Sequence, residues 1–235
     1  MGIINSMRIS ASALLAQRLR MDVIANNVAN VGTSGYRRDH AVFDTVLAAA
    51  MPYARIQPGQ IDFSPGTHQP TNSPLHAAID GDGFFVVQDA QGNEFYTRRG
   101  DFRLNAAGEL VLPNGLPVQG QGGPLAVPPG ARAELRADGT LTTENGPIGR
   151  LRIVRFADPA GLSKHGRSLI AASPEAGQEE VDNPRIAVGF VEASNVNLSQ
   201  EMVGLIIATR AFESIMQSLR ANDQLTQQLI QTINR

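Results

Sequence analysis

Both ends of this 235-residue chain carry a long helical pattern of apolar residues, and glycine and proline are concentrated between them. Residues 57–150 hold 15 of the 23 glycines and 10 of the 14 prolines. Because these two residue types favour turns and interrupt helices, this region cannot form a long helix. The chain must therefore place its long helices at its two ends and build the middle from short elements joined by turns.

In the N-terminal thirty residues, the apolar positions recur at alternating steps of three and four. Such spacing is typical of a narrow stripe along a helix, here called a seam, that packs against another helix. Arg18 is the polar member of the series, and we expect Asn5 or Ser6 to cap the start of the helix. The positions that we assign to a subunit interface are Ile4, Met7, Ala11, Leu14, Met21, Ala25 and Val28.

The C-terminal region repeats the pattern, although Asp223 and Thr226 weaken it. Asn197 followed by Gln200 resembles a capping box, and Glu201 suits the positive end of the helix dipole. These signals predict a helix of about 35 residues, far longer than a typical globular helix. The positions assigned to a subunit interface at this end are Asn195, Asn197, Met202, Leu205, Thr209, Phe212, Met216, Leu219, Ile230 and Ile233.

An amphipathic helix usually lies on the body of its own protein, and that arrangement is the alternative here. A narrow seam, however, fits another helix better than it fits a broad sheet. We therefore predict an α+β fold in which the long N- and C-terminal helices pair as a coiled-coil-like unit, with each other or with copies from other chains.

The strand and turn patterns in the middle of the chain predict an antiparallel β domain inserted between the helices. "GFFVVQ" and "EFYTRR" flank a glycine-containing loop, "DFRL" and "ELVL" flank another, and a third hairpin turns at Asp138-Gly139. The stretch "GRLRIVRF" alternates apolar and basic residues, which is typical of a half-buried strand. The expected organisation is an N-terminal helix at 1–30, an extended arm at 31–74, the β domain at 75–193 and a C-terminal helix at 194–235.

The sequence contains no pattern typical of a catalytic site, a metal site, a nucleic-acid-binding surface or a membrane span. There is no cysteine for disulfides or thiolates, and the four histidines lack metal-ligand spacing. "DGDG" at 80–83 begins like a calcium loop, but Gln91 stands where such a loop needs glutamate. A net charge of −2 gives no electrostatic argument for nucleic acid, and no window is apolar enough for a membrane span. We expect no enzyme, metal or cofactor.

Three blocks of the sequence together resemble the rod and hook proteins of the bacterial flagellar basal body. "LRMDVIANNVANVGTSGYRRDHAVFDTVL" resembles the N-terminal signature of that family, and residues 78–120 resemble the core of its β domain. "GFVEASNVNLSQEMVGLIIATRAFESIMQSLRANDQLTQQL" is similar to its C-terminal signature. The blocks occur in the family order and cover more than half of the chain.

The resemblance implies a structural subunit of the basal-body rod, with paired terminal helices in an inner tube and the β domain outside it. The short chain and single β domain resemble the proximal-rod subunit, and the distal-rod subunit is the alternative. A soluble β-domain binding module with helical stalks is the rival class.

The implied partners are copies of the chain itself, other rod proteins, the flagellar type III export apparatus and the surrounding basal-body rings. The resemblance also implies export without a cleaved signal peptide, and assembly in the periplasm of a cell that has an outer membrane. This agrees with the short apolar run "SALLAQ", which is no ordinary secretory signal.

The segment "ANNVANVGTSGYRR" at 25–38 has three asparagines where one helix-ending residue would suffice. Asparagine tolerates left-handed backbone and bonds to nearby peptide groups. We expect Asn26, Asn27 and Asn30 to end the helix and either tie it to the departing arm or bridge to a neighbouring subunit. We expect Gly32 and Gly35 to permit a sharp turn from which Tyr36 starts the arm.

Overall fold

The computed structural model describes residues 2–40, 43–48, 51–56, 60–166 and 168–233. The chain divides into two compact units. Unit 1 comprises residues 1–29, 39–62 and 197–235, and unit 2 comprises residues 30–38 and 63–196. The expected α+β class is confirmed, with a helix at each end of the chain and a β domain between them.

Unit 1 contains the two long helices, α1 at Gly2–Ala29 and α2 at Leu198–Ile233. Since α1 already begins at Gly2, Asn5 and Ser6 lie inside the helix, and the expectation that one of them caps it is wrong. The expected cap of α2 is confirmed, because the Asn197 side-chain oxygen accepts a hydrogen bond of 3.2 Å from the Gln200 backbone N–H.

The two helices contact each other in antiparallel fashion. The Oγ1 of Thr209 lies 3.7 Å from the Sδ of Met21, and further back along α2 the Cδ1 of Ile24 lies 3.4 Å from where a Gly204 Cβ would stand. Ala16, Ile24 and Ala208 are buried. The helices therefore pair within the chain, and coiled-coil packing between them remains a prediction.

The strands are short and number twenty-one within the described residues. They are β1 Asp39–His40, β2 Phe43–Ala48, β3 Met51–Ile56, β4 Gln60–Ile61, β5 His68–Pro70, β6 Ala77–Asp80, β7 Phe84–Gln88, β8 Glu94–Thr97, β9 Arg103–Leu104, β10 Leu110–Val111, β11 Gln119–Gly120, β12 Gly123–Pro124, β13 Ala133–Leu135, β14 Thr140–Thr143, β15 Gly146–Arg150, β16 Ile153–Phe156, β17 Leu162–His165, β18 Leu169–Ala172, β19 Gln178–Glu180, β20 Arg185–Val188 and β21 Phe190–Glu192. Short 3-10 turns occur at Pro159–Gly161 and Pro174–Ala176.

The largest sheet of unit 2 has six antiparallel strands in the order β17-β18-β8-β7-β16-β19. Its central strand β7 is buried on both faces, which explains its unbroken apolar run. Phe85 and Val87 belong to the larger core, whereas Phe84 and Val86 belong to a smaller cluster on the other side. Alternation along a strand therefore supplies two cores from one segment.

The three hairpins expected in the middle of the chain are confirmed. β7 pairs with β8, β9 with β10, and β13 with β14, all antiparallel. The expectation of one alternating strand at 149–156 is wrong, because β15 ends at Arg150 and β16 begins at Ile153. Ile153 and Val154 are both buried, since β16 lies inside the six-stranded sheet and meets a core on each face.

Residues 31–74, expected as a single extended arm, are distributed over both units. In unit 1, β1 pairs with β4, and β2 pairs with β3 as a hairpin. In unit 2, β5 pairs with β21 near the C-terminal end of the β domain. Residues 30–38 and 63–74 therefore fold as parts of unit 2.

Candidate functional site

Immediately after α1, residues 30–38 form a compact turn within unit 2. The backbone N–H of Thr33 donates to the carbonyl of Asn30 at 3.0 Å, and that of Tyr36 donates to the carbonyl of Thr33 at 3.2 Å. The Thr33 hydroxyl also lies 3.3 Å from the side-chain oxygen of Asn30. Asn30 thus holds the first residues that follow the helix.

Of the two glycines expected to permit this turn, only Gly35 is required by the geometry. Gly35 has a φ of +65°, and a Cβ at this position would stand 2.3 Å from the backbone nitrogen of Arg99. Gly32 has no positive φ, and a Cβ there would meet no atom within 4 Å. The expectation for Gly32 is therefore wrong, because the chain has room for a side chain there.

Tyr36 is buried, with only 1% of its surface exposed. The Nζ of Lys164 lies 3.9 Å from the centre of its ring, within the range of a cation–π contact. Lys164 belongs to β17, so the aromatic ring anchors the turn to the edge strand of the six-stranded sheet.

The next residue, Arg37, enters a group of polar side chains that we name the crossing cluster: Arg37, Ser64, Arg98, Glu192 and Asn195. Arg37, Arg98 and Glu192 are buried, whereas Asn195 is half-buried and Ser64 is exposed. Its centre is Glu192, which is 1% exposed. One carboxylate oxygen accepts from Arg37 Nη1 at 2.7 Å and from the Gly66 N–H at 2.9 Å, and the other lies 3.3 Å from Arg98 Nη1. One glutamate thereby joins three segments that are distant in sequence.

The two buried arginines carry more positive charge than one carboxylate neutralises. Backbone carbonyls accept further hydrogen bonds from their Nη atoms, whereas the buried Nε of each arginine has no hydrogen-bond partner among the described residues. Arg37 Nη1 donates to the carbonyl of Ser64 at 2.6 Å, and Arg98 Nη2 donates to that of Gly81 at 2.7 Å. Burial lowers the pKa of Arg98, and the neighbouring Glu192 acts in the opposite direction. Within the part of the chain that the structure describes, removing Glu192 would leave both guanidinium groups buried without an ion-pair partner, and only the negative charge of Asp82 would still act on Arg98.

Asn195, assigned from sequence to a subunit interface, forms hydrogen bonds inside its own chain. Its side-chain oxygen accepts from the Arg38 N–H at 2.7 Å, its amide group donates to the Ser64 carbonyl at 3.0 Å, and its backbone N–H lies 3.4 Å from the Tyr36 carbonyl. The two segments of unit 2 end at Asn30 and Arg38 and at Phe63 and Val196. The crossing cluster therefore lies beside three of these four ends, those at Arg38, Phe63 and Val196.

Asn27 closes a second connection, this one within unit 1. Its amide donates to the carbonyl of Asp39 at 2.9 Å, and its side-chain oxygen accepts from the Asp39 N–H at 3.0 Å. Asn27 and Asn30 are buried, whereas Asn26 is exposed. The paired bonds of Asn27 fix the end of α1 to the strand β1 as a backbone pair would.

The assigned interface positions lie on several faces of the helices. On α1, Ala11 and Ala25 are exposed, and Leu14, Met21 and Val28 are half-buried. On α2, Met202 and Thr209 are exposed, and Leu205, Phe212, Met216 and Leu219 are half-buried. The side chains of Ile4, Met7, Ile230 and Ile233 lie outside the part of the structure that is described.

Sequence reasoning did not identify Ser64, Arg98 or Glu192. A weak signal was present, because Glu192 stands in the otherwise apolar strand β21. An acidic residue within a buried strand indicates a buried cationic partner. Nothing in the spacing, however, points to Arg37, which lies far away in the chain.

The described residues contain no group of three or more histidine, aspartate or glutamate side chains that could hold a metal ion. Among the helices as described, none is both long and apolar enough to cross a membrane. Arg37, Arg98 and Glu192 form a buried ionic network with backbone partners, which is an arrangement that holds segments together.

Comparison with known families gives three matches, in the same order as the elements above. Residues 7–37 match the family described as flagella basal body rod protein, and residues 78–143 match the flagellar hook protein FlgE/F/G D1 domain. Residues 187–232 match the flagellar basal body rod FlgEFG protein C-terminal family. The matched segments include most of α1 with its turn, the hairpins of the β domain, and β21 with most of α2.

Several curated proteins are similar along most of the chain. Flagellar basal-body rod protein FlgG of Buchnera aphidicola subsp. Schizaphis graminum is 32% identical, covering 97% of this chain and 99% of the relative. Flagellar basal-body rod protein FlgF of Mesorhizobium japonicum is 32% identical, covering 97% and 98%. FlgF of Salmonella typhimurium is 32% identical, covering 86% and 87%. With this similarity over nearly its full length, the chain belongs to the flagellar basal-body rod protein family.

Proposed function

We propose that this chain is a structural subunit of the bacterial flagellar basal-body rod, which polymerises through its terminal helices into the axial shaft that transmits torque. The observation that carries the proposal is an apolar stripe on α2, turned away from α1. Met202, Val203, Ile206 and Ile207 are each 53–56% exposed. Soluble monomers rarely expose a contiguous apolar patch of this kind unless it is a binding surface.

Burial of such a stripe supplies the free energy for assembly. Apolar surface removed from water contributes roughly 25 cal/mol per Å². Contacts between different faces of successive copies generate an open helical filament, whereas contacts between identical faces close into a dimer. A rod therefore requires contacts between different faces of successive copies.

The partners follow from the proposed role. They are further copies of the chain, the other rod proteins, the type III export apparatus and the surrounding basal-body rings. The chain is placed in the periplasmic rod after export without a cleaved signal peptide. The resemblance noted in the sequence favours the proximal rod, and the distal rod is the alternative. Relatives carrying the names FlgG and FlgF are equally identical to the chain, at 32%.

Electron cryomicroscopy of isolated basal bodies tests this proposal. We expect axial density that fits both α1 and α2 in an inner tube, at a height that distinguishes proximal from distal rod. If mass spectrometry and density fitting find no copy of the chain in the axial structure, the proposal is overturned.

The Asn27→Ala variant is expected to assemble poorly while unit 2 remains folded. The substitution removes both bonds to the Asp39 backbone, and each such bond contributes about 0.5–1.5 kcal/mol to local stability. Asn27 and Asp39 belong to unit 1, so thermal unfolding of unit 2 should be unchanged. The measurements are incorporation into basal bodies and the melting curve of the purified chain. Equal damage to assembly and to the β domain would contradict this prediction.

A further inference from the structure

The outward face of α1 is a regular stripe that lies opposite its buried side. Ala11, Leu15, Arg18, Asp22 and Ala25 are all exposed and follow one another at steps of three and four. Ala16 and Ile24 are buried on the other side of the helix. The stripe has small apolar side chains at Ala11 and Ala25 and one charge of each sign between them.

The outward face of α2 has the complementary composition. Its four exposed apolar residues are followed along the same face by Arg210 and Glu213, which are also exposed. Within the described residues, neither these two residues nor Arg18 and Asp22 take part in an ion pair. Both faces therefore present an opposite pair of charges beside an apolar segment.

We propose that the outward face of α1 of one copy packs antiparallel on the outward face of α2 of a neighbouring copy, with Asp22 opposite Arg210 and Arg18 opposite Glu213. This inference rests on the proposed function, and it specifies the partner of the apolar stripe and the alignment of the two helices.

The order of the charges selects the direction of the pairing. In the antiparallel arrangement, residue numbers fall along α1 while they rise along α2. Asp22 therefore meets Arg210, and Arg18 meets Glu213, so that opposite charges face each other. A parallel arrangement would place Arg18 opposite Arg210 and Asp22 opposite Glu213, so that like charges would meet. Juxtaposed like charges at an interface suppress the wrong alignment.

The distance between the two charges is similar on the two helices. At a rise of about 1.5 Å per residue, the step from Arg18 to Asp22 is roughly 6 Å and the step from Arg210 to Glu213 roughly 4.5 Å. Flexible side chains span the difference. The antiparallel direction is also that of α1 and α2 within the chain, and copies that share one orientation in a filament must retain it.

The same alignment brings the small residue Ala25 opposite large ones. With Asp22 level with Arg210, Ala25 lies level with Ile206 and Ile207. A small side chain facing two branched ones allows the helix axes to approach closely, as ridges fit into grooves. The apolar stripe of α2 thus has a counterpart in shape as well as in charge.

Exchange of the charges tests this alignment in full-length protein expressed in the source bacterium. The single variants Asp22→Arg and Arg210→Asp each place like charges opposite one another. We expect each to reduce the amount of the subunit in isolated basal bodies roughly tenfold, because like-charge contacts at an interface are costly. The double variant Asp22→Arg, Arg210→Asp restores the opposite charges, and we expect incorporation within about twofold of the unmodified chain.

Cysteine pairs give an independent measurement, because the natural chain has no cysteine. Asp22→Cys combined with Arg210→Cys is expected to give disulfide-linked multimers in isolated rods. The matched control combines Asp22→Cys with Gln217→Cys. Gln217 is also exposed on α2, but it lies about 10 Å beyond Arg210 along the helix. That pair should cross-link at least tenfold less, since a disulfide requires closely spaced backbones.

The outcomes separate this inference from the function on which it rests. Restoration by the double variant, together with cross-linking at Asp22 and Arg210, supports the alignment. Normal incorporation of both single variants, or loss that the double variant does not restore, overturns the alignment while the structural role stands. Absence of the unmodified chain from basal bodies overturns both. Circular dichroism of each purified variant confirms that the exposed substitutions leave the helices intact.

Discussion

The Glu192→Ala variant is expected to lose about 3–5 kcal/mol of unit 2 stability, which is the usual cost of breaking a buried ion pair from one side. The carboxylate is 1% exposed and is shared by Arg37 and Arg98, which are 2% and 5% exposed. Without it, two guanidinium groups remain buried with only backbone carbonyls of the described residues as hydrogen-bond partners. The same substitution also removes the acceptor of the Gly66 N–H.

Urea denaturation of the purified chain, followed by a signal from unit 2, measures this effect. The matched control is Glu179→Ala, which removes an exposed glutamate that lies 2.7 Å from Arg155 across the strand pair β16–β19. Exposed pairs of this kind contribute about 0.2–1 kcal/mol. If both variants shift the midpoint equally, the crossing cluster does not hold unit 2 together.

The Gly35→Ala variant is expected to destabilise the turn after α1 by about 3 kcal/mol, from left-handed strain of 1–2 kcal/mol and from overpacking of similar size. The added Cβ would stand 2.3 Å from the Arg99 nitrogen and 2.5 Å from the Arg98 carbonyl carbon. These atoms belong to backbone, so rotation of a side chain cannot relieve the contact.

Gly32→Ala is the control for this prediction, because it changes the same residue type three positions earlier in the same turn. A Cβ at Gly32 meets nothing within 4 Å, and we expect a change within about 0.5 kcal/mol in either direction. The measurements are thermal unfolding and proteolytic sensitivity of residues 30–38. Similar loss in both variants would show that the turn tolerates neither side chain, which contradicts the geometry.

Much of the fold could be predicted from the sequence, because local patterns determine it. The cap at Asn197 follows from residue type, and the hairpin at Asp138-Gly139 follows from turn chemistry. The break between β15 and β16 was missed because basic and apolar residues happened to alternate across it. Periodicity alone cannot show that a strand ends at Arg150 and another begins at Ile153.

The candidate site was predictable only in part. The segment at 25–38 was singled out, and Gly35 has the positive φ that its residue type indicated. Glu192, in contrast, meets Arg37 across most of the chain, and a single sequence contains no record of which charges come together. Likewise, the sequence analysis assigns Asn195 to contacts between subunits. The structure shows that its bonds to Arg38 and Ser64 lie within the chain.

The convergence of Arg38, Ser64 and Asn195 has a further consequence for how such a protein can change over time. A domain whose chain enters and leaves at one place can be replaced as a unit by another domain with the same attachment points. Its exposed loops, such as the turn at Asp138 or the one at Glu144, can gain or lose residues without changing the segments by which the chain enters and leaves the domain. The sequence of the β domain can then vary among related proteins, while the terminal helices, which must match neighbouring subunits, keep their lengths. The bonds among these three residues mark where two such domains could be exchanged.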